Sequence, residues 1–329
     1  MSSRTRPAIL AAGVAFWIAL TAADATPVPG QSWTLPWADE TGFGLAWIPP
    51  GEFTMGSPPG ESGRGADESP TTHVTLTHGF WLGKNLVTIG QWKNIMGHGV
   101  REQLARHISD ETLYEVEGKK HTLRESMHWS RDVDPATYLA NESDDFPIYF
   151  VSWNDVQEFI KKVNERERAA GRLPAGYAYD LPTEAQWEYA CRAGTTGATY
   201  AGPNTPAVLE TIAWYAGNSA TDYSGRRLGP TRSGPRAVGQ KKPNAWGLFD
   251  MYGNLWQWCR DWYGPYPGGN VTDPTGPAKG TARVNRGGSF GSGASSERSA
   301  CRAGNPPMEP SAYRGFRLAL SVHKSVAQN

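Results

Sequence analysis

Apolar positions recur along this chain in short, interrupted groups, and the interruptions predict as much as the groups. Leu45, Ala46, Trp47 and Ile48 form a brief apolar run closed by Pro49-Pro50-Gly51, which suits a strand ended by a turn. In His73-Val74-Thr75-Leu76-Thr77 apolar and polar residues alternate, the period of a half-buried strand, and Phe80 to Leu82 continue that apolar surface. Three segments carry helix-start signals. Thr88, with Gln91 three residues on, predicts a capping box for a short helix that carries Trp92, Ile95 and Met96 and closes at Gly97. Ser152 opens a second helix whose Val156, Phe159, Ile160 and Val163 form one core-facing stripe ending near Gly171. Thr183 with Gln186 repeats the box ahead of Trp187, Ala190 and Cys191, with a stop at Gly194. Beyond that point Gly and Pro punctuate so densely that only short strands are expected, at residues 255–258, 283–286 and 316–320. There is no internal repeat and no low-complexity tract.

Composition extends this picture. The 38 Gly and 25 Pro are spread along the 329 residues rather than gathered into a linker, so one domain rich in turns is expected, with its 14 Trp, 13 Tyr and 10 Phe filling the core. The domain is placed at residues 43–320, after a tail at 26–42 that includes room for a leading strand, and before a second tail at 321–329. Residues 97–145 read as an insertion.

The first residues point to export. Arg4 and Arg6 precede an apolar run of 16 residues from Ala8 to Ala23, and Ala23-Asp24-Ala25 is a small-x-small cleavage site, so a signal peptide at 1–25 cut near Ala25 is expected. A membrane anchor is the other reading, but the run is short of the roughly 20 residues a span needs. The expected location is secreted or periplasmic, without a stable membrane span. Acidic and basic side chains balance at 32 each, which gives no reason to expect nucleic acid as a partner. In an oxidising compartment the three cysteines, Cys191, Cys259 and Cys301, suggest one disulfide and one leftover thiol, and spacing leaves all three pairings open.

Several motifs occur together: FTMGS from Phe53, FVSWNDVQEF from Phe150, LPTEAQWEYACRAGT from Leu181, NAWGLFDMYGNLWQWCRDW from Asn244, Arg286-Gly287-Gly288-Ser289, and Gly315-Phe316-Arg317. In this order they resemble the formylglycine-generating, sulfatase-modifying-factor family over nearly the whole chain. The resemblance implies a single α+β domain related to the C-type lectin fold, with little regular secondary structure. It also implies a site. Family members that oxidise cysteine to formylglycine carry two copper-binding cysteines two and seven residues beyond the aromatic of the RGGS-aromatic motif. Counted from Phe290, those places hold Ser292 and Glu297. A hydroxyl and a carboxylate are hard oxygen donors that hold copper(I) poorly, so copper is not expected. Trp256 and Ser289 match two further positions beside the family's metal and oxygen pocket; the plainer reading makes Trp256 a core residue and Ser289 a turn former.

The resemblance further implies structural calcium at Asp250, Gly253, Leu255 and Gln257, where relatives use an acidic side chain in place of Gln257, and a second calcium site near Asn218 and Asp222. Ordinary turn chemistry is the alternative for both. Relatives also suggest the pair Cys191–Cys301 as the disulfide. His98, His107, His121 and His128 fall inside the insertion, but their spacings of 9, 14 and 7 residues do not put neighbours on adjacent helical turns, and the interleaved charges favour a solvated helical segment. These observations predict an exported domain that binds an extracytoplasmic peptide or protein segment in its cleft without copper-dependent cysteine oxidation. The alternative is an oxidoreductase that modifies a protein or peptide side chain, by formylglycine-type or non-haem-metal-dependent oxidation.

Overall fold

The strand expected around residues 45–48 forms at Gly44–Ile48 and lies in a five-stranded antiparallel sheet. This computed structural model describes residues 27–34, 42–116, 119–132, 134–220 and 234–322; the signal segment with Ala25, the last seven residues and Asp222 lie outside them. The sheet runs in the order Ser32–Thr34, Gly44–Ile48, Phe80–Gly83, Ala319–Val322 and Tyr177–Asp180. Its fourth strand in that order is the last among the described residues, inserted with Ala319 facing Leu82 on one side and Asp180 on the other. Backbone pairing thereby ties the two ends of the domain together.

A second sheet carries the functional region. Its order is Arg302–Asn305, Arg283–Arg286, Trp256–Trp262 and Arg314–Gly315, antiparallel except for the last pair, where Trp256 and Arg314 are parallel partners. The residues expected as one strand at 316–320 are split: Phe316 and Leu318 enter the core, Arg317 turns fully inward between them, and pairing resumes at Ala319. A third sheet joins Gly51–Met55, Thr72–Leu76 and Gly269–Thr272. The first of these strands starts at Gly51, the last residue of the Pro49-Pro50-Gly51 turn.

All three capped helices form where their boxes predict. Thr88 accepts from the Gln91 N–H and starts Ile89–Met96, which ends on Gly97 in the left-handed region at φ 78°. Ser152 caps Trp153–Ala169, and Thr183 caps Glu184–Arg192. The long helix lays Phe159 flat on Trp92, with ring centroids 5.2 Å apart, and edge-on to Phe316 at 5.3 Å. Stacks of this kind add about 0.5–1.5 kcal/mol beyond area burial. The third helix packs into a separate cluster with Trp187, Met251, Tyr252 and Val284.

Residues 97–145 depart from the solvated segment expected. The helix Val100–Ser109 buries Val100, Leu104 and Ile108 in the same core as Trp92 and Phe159. His98 and His107 are held by their neighbours: His98 Nε2 meets Gln103 Oε1 at 2.8 Å, and His107 Nε2 lies 3.0 Å from both Gln103 Nε2 and Asp155 Oδ2, bonding one of them in either protonation state. Interleaved charges hid this face because they occupy only the outer side of the helix.

Buried ion pairs clamp the third helix to the second sheet. Glu188 joins Arg192 at 2.8 Å and also pairs with Arg286, while Glu184 takes Arg302 in a two-pronged grip at 2.6 and 2.7 Å. All five side chains are nearly or fully buried. Charges in such surroundings are tolerated only with this density of partners.

Candidate functional site

Ser289, Ser292 and Trp256 meet at one cavity of about 340 Å³, whose other lining residues are Gly291, Ala303, Asn305, Tyr313 and Arg314. The Arg286-Gly287-Gly288-Ser289 turn brings Ser289 to its lining. Gly287 and Gly288 sit at φ 94° and 71°, and side chains there would meet Met251 and Trp187 or the Glu297 carboxyl, so glycine is required twice over. The turn leads to Phe290, fully buried and 4.8 Å from the Tyr313 ring. Gly291 lies against that ring, close enough that a Cβ would collide with it.

The two serines satisfy one another. Ser292 Oγ accepts from the Ser289 N–H at 3.0 Å and lies 3.0 Å from Ser289 Oγ; the Ser292 N–H in turn donates to the Ser289 carbonyl at 2.9 Å. Neither hydroxyl has a titratable base among these partners, so the pair is a turn rather than an activated nucleophile. Both Ser289 and Trp256 face the cavity. Trp256 is half-buried, and its backbone N–H donates to the Tyr313 carbonyl at 2.8 Å.

Glu297 is elsewhere. It is 0% exposed and does not line the cavity; both carboxylate oxygens lie buried without a hydrogen-bond partner, beneath Gly288. Burial pushes its pKa well above the usual carboxylate range. The short helical turn Ala294–Ser296 folds the loop and sends residue 297 inward.

The family profile of the sulfatase-modifying factor enzyme 1-like domain matches residues 36–322. The chain belongs to this sulfatase-modifying-factor family. It is similar to the formylglycine-generating enzyme of Streptomyces coelicolor, 29% identical over 308 residues, covering 84% of this chain and 88% of that one. Among solved structures it resembles Treponema denticola variable protein 1, with a TM-score of 0.63 and 24% identity over 89% of this chain and 99% of that one. It also resembles PvdO from Pseudomonas aeruginosa, at TM-score 0.62 and 22% identity over 90% of this chain and all of that one. These likenesses agree with the single α+β, C-type-lectin-related domain expected from the motifs.

Copper(I) does not fit this member's cavity. Oxygen and nitrogen atoms furnish every side-chain donor in its lining, whereas that ion seeks sulfur. The cysteines of this sulfatase-modifying-factor domain offer no substitute. Cys191 and Cys259 are fully buried, and burial pushes the thiol of Cys191 up to about 11 and that of Cys301 up to about 12. The expected Cys191–Cys301 disulfide is not formed: all three cysteines are free thiols. Ser299, two residues before Cys301, is the side chain that faces the Cys191 sulfur, at 4.0 Å, and it also lies 2.8 Å from the Tyr252 hydroxyl.

At the first expected calcium site the domain does gather Asp250 and Gln257, but around a guanidinium. Gln257 Oε1 accepts from Arg317 Nε at 2.6 Å and from Trp187 Nε1 at 2.7 Å, which uses both of its lone pairs. Gln257 Nε2 donates to the Asp250 carbonyl at 2.8 Å, and Arg317 takes the carbonyls of Gly83 and Phe249 at 2.7 and 2.8 Å. Gly253 occupies a left-handed position at φ 69° and Leu255 is core. At the second site Asn218 closes a turn, its Oδ1 accepting from the Tyr215 N–H at 2.9 Å.

Sequence reasoning missed Asn305, Tyr313 and Arg314. The last two directly precede Gly315-Phe316-Arg317, so the signal was adjacent to a motif already singled out; what was not legible was the parallel pairing that sets Arg314 beside Trp256.

Proposed function

We propose that this protein is an exported sulfatase-modifying-factor domain that binds a peptide or protein segment of an extracytoplasmic partner in the Trp256–Tyr313 cavity, without copper-dependent oxidation of cysteine. The observation that carries this reading is the donor set: two aromatic faces, two mutually bonded serines, an amide and a guanidinium, with no sulfur among the lining residues. Such a wall offers stacking, hydrogen bonds and charge, which suit recognition of a chain segment. In this reading Arg317 supplies the positive charge that calcium would bring to the Asp250–Gln257 turn. Export rests on the leader that ends near Ala25.

Two measurements test the proposal. The secreted protein is incubated with a sulfatase-motif peptide, copper(I) and oxygen, and the peptide is followed by mass spectrometry; its cysteine is expected to remain unchanged. Conversion to the aldehyde would favour the oxidoreductase reading and overturn this one. Separately, peptides selected on the protein from a displayed library are expected to lose binding to Trp256→Ala and Tyr313→Ala variants that still fold. Retained binding in both variants would place the ligand outside the cavity.

A further inference from the structure

One wall of the cavity carries a charge that the protein leaves poorly matched. Arg314 is 8% exposed and stands over the Trp258 ring, its guanidinium carbon 5.1 Å from the ring centroid. Its Nη1 is buried and makes no hydrogen bond. The carboxylate of Glu309 lies 3.9 Å from Nη2, too far for a hydrogen bond. Burial draws the group down to about 10, with Glu309 acting weakly in the other direction, so it stays cationic at neutral pH.

Three other deeply buried arginines are better matched. Arg302 grips Glu184 with two nitrogens, Arg298 holds Glu61 at 2.6 Å and Glu68 at 2.8 Å, and Arg317 is ringed by carbonyl and amide oxygens. A buried cation without such partners is costly to the free protein, and an unsatisfied buried donor calls for a group that will complete it.

We propose that Arg314 is an anion subsite of the cavity, and that the ligand presents a carboxylate to it from a peptide whose adjoining apolar group lies against Trp256 and Tyr313. This rests on the reading of the cavity as a peptide site and names the chemistry that site selects. A carboxylate matches a single guanidinium by a planar, two-pronged pair of hydrogen bonds. Among the described lining residues Arg314 is the one cation, and a monoanion balances its single charge. Asn305, whose Oδ1 accepts from Asn285 Nδ2 at 3.2 Å, holds its amide in a set orientation on the same wall.

Three matched probe pairs test this by calorimetry on the full protein. They are benzoylglycine against its amide, acetyl-Phe-Gly with a free C-terminus against its amide, and acetyl-Phe-Glu amide against acetyl-Phe-Gln amide. At least one acid is expected to bind about tenfold or more tightly than its neutral partner, the size of a desolvated charged hydrogen bond. The pair that shows the preference identifies a terminal or a side-chain carboxylate as its source. In Arg314→Met the preference is expected to vanish while the thermal midpoint does not fall, because a poorly compensated buried charge has been removed. An arginine with only a structural role would instead lower the midpoint and leave the preference intact. Acids that bind no better than amides overturn the subsite, as does a preference that survives in Arg314→Met, or acetate alone binding as tightly as the peptides. If the amides bind and Tyr313→Ala abolishes that binding, the subsite has failed while the reading of the cavity stands. If no probe binds, the subsite falls and the library selection judges the cavity independently.

Discussion

Arg317 Nε donates to Gln257 Oε1 at 2.6 Å, so one side chain that the motif resemblance assigned to calcium is engaged by a guanidinium. The neutral amide is the telling partner: it presents an oxygen to a guanidinium without the like-charge crowding that a carboxylate beside Asp250 would bring. Chelation by EDTA is therefore expected to leave the thermal midpoint of the native chain unchanged, since no bound ion would be lost. A midpoint that falls on chelation and returns with added calcium would show that the ion does sit in this domain. Arg317→Met, in contrast, strands the carbonyls of Gly83 and Phe249 and should cost about 3 kcal/mol or more, read by urea unfolding.

The buried pair of Glu188 with Arg286 and Arg192 gives a second expectation. Glu188→Ala removes one carboxylate and leaves two buried guanidinium groups short of their counter-charge. The loss is expected to reach about 3–5 kcal/mol in urea unfolding. A loss below about 1 kcal/mol would place these arginines in the class of surface pairs, contrary to their burial.

Glu297 predicts a pH effect with a definite sign. Burial raises its pKa in the folded state above the unfolded value, so its contribution to stability is fully present at pH below the unfolded value and is lost as pH rises through the folded one. Glu297→Gln keeps the shape and removes the titration. The variant should melt higher than the native chain at about pH 8, with the difference shrinking toward about pH 4, in a series of thermal scans. A difference independent of pH would mean that the carboxyl is not held neutral.

Asp261 supplies a narrower window. It is 4% exposed, and burial followed by the nearby charge of Glu184 raises it from 3.8 to about 7. Its stabilising contribution is therefore expected in full below about pH 4 and to be lost as pH rises through about 7. Asp261 Oδ2 accepts the Glu184 N–H at 3.0 Å, at the start of the third helix, and an asparagine oxygen preserves that bond. Asp261→Asn should consequently flatten the fall in midpoint between pH 5 and pH 8 without loss at the acid end. Hydrogen exchange of the Glu184 amide, followed across the same range, should slow in the variant at pH 8.

A free-thiol count gives the last expectation. In denaturant without reductant the protein should titrate three thiols, and in the folded state Cys191 and Cys259 should resist alkylation, since burial disfavours both thiolates. Finding only one reactive sulfur after unfolding would reveal a disulfide.

The parts legible in the sequence are those governed by neighbours along the chain. Capping boxes at Thr88, Ser152 and Thr183 depend on hydrogen bonds spanning three residues, and all three helices begin where those residues stand. The alternation at residues 73–77 reports one buried face, which needs no knowledge of what covers it. Glycines 287 and 288 mark a turn whatever surrounds it. Side-chain direction in irregular backbone is different, because there is no fixed period from which to extrapolate. For that reason Ser292 and Glu297, five residues apart in one loop, end in different surroundings, one facing the cavity and one buried away from it. The pairing of Cys191 was decided in the same way by which residue of the 299–301 segment turned toward it. The cavity wall itself comes from strands that are remote in sequence, and only the parallel pairing of residues 256 and 314 brings the aromatic face and the unmatched guanidinium to the same place. Local hydrogen bonding let the sequence determine the elements and the family architecture; long-range packing decided which side chains share a site, since that depends on contacts no single segment contains.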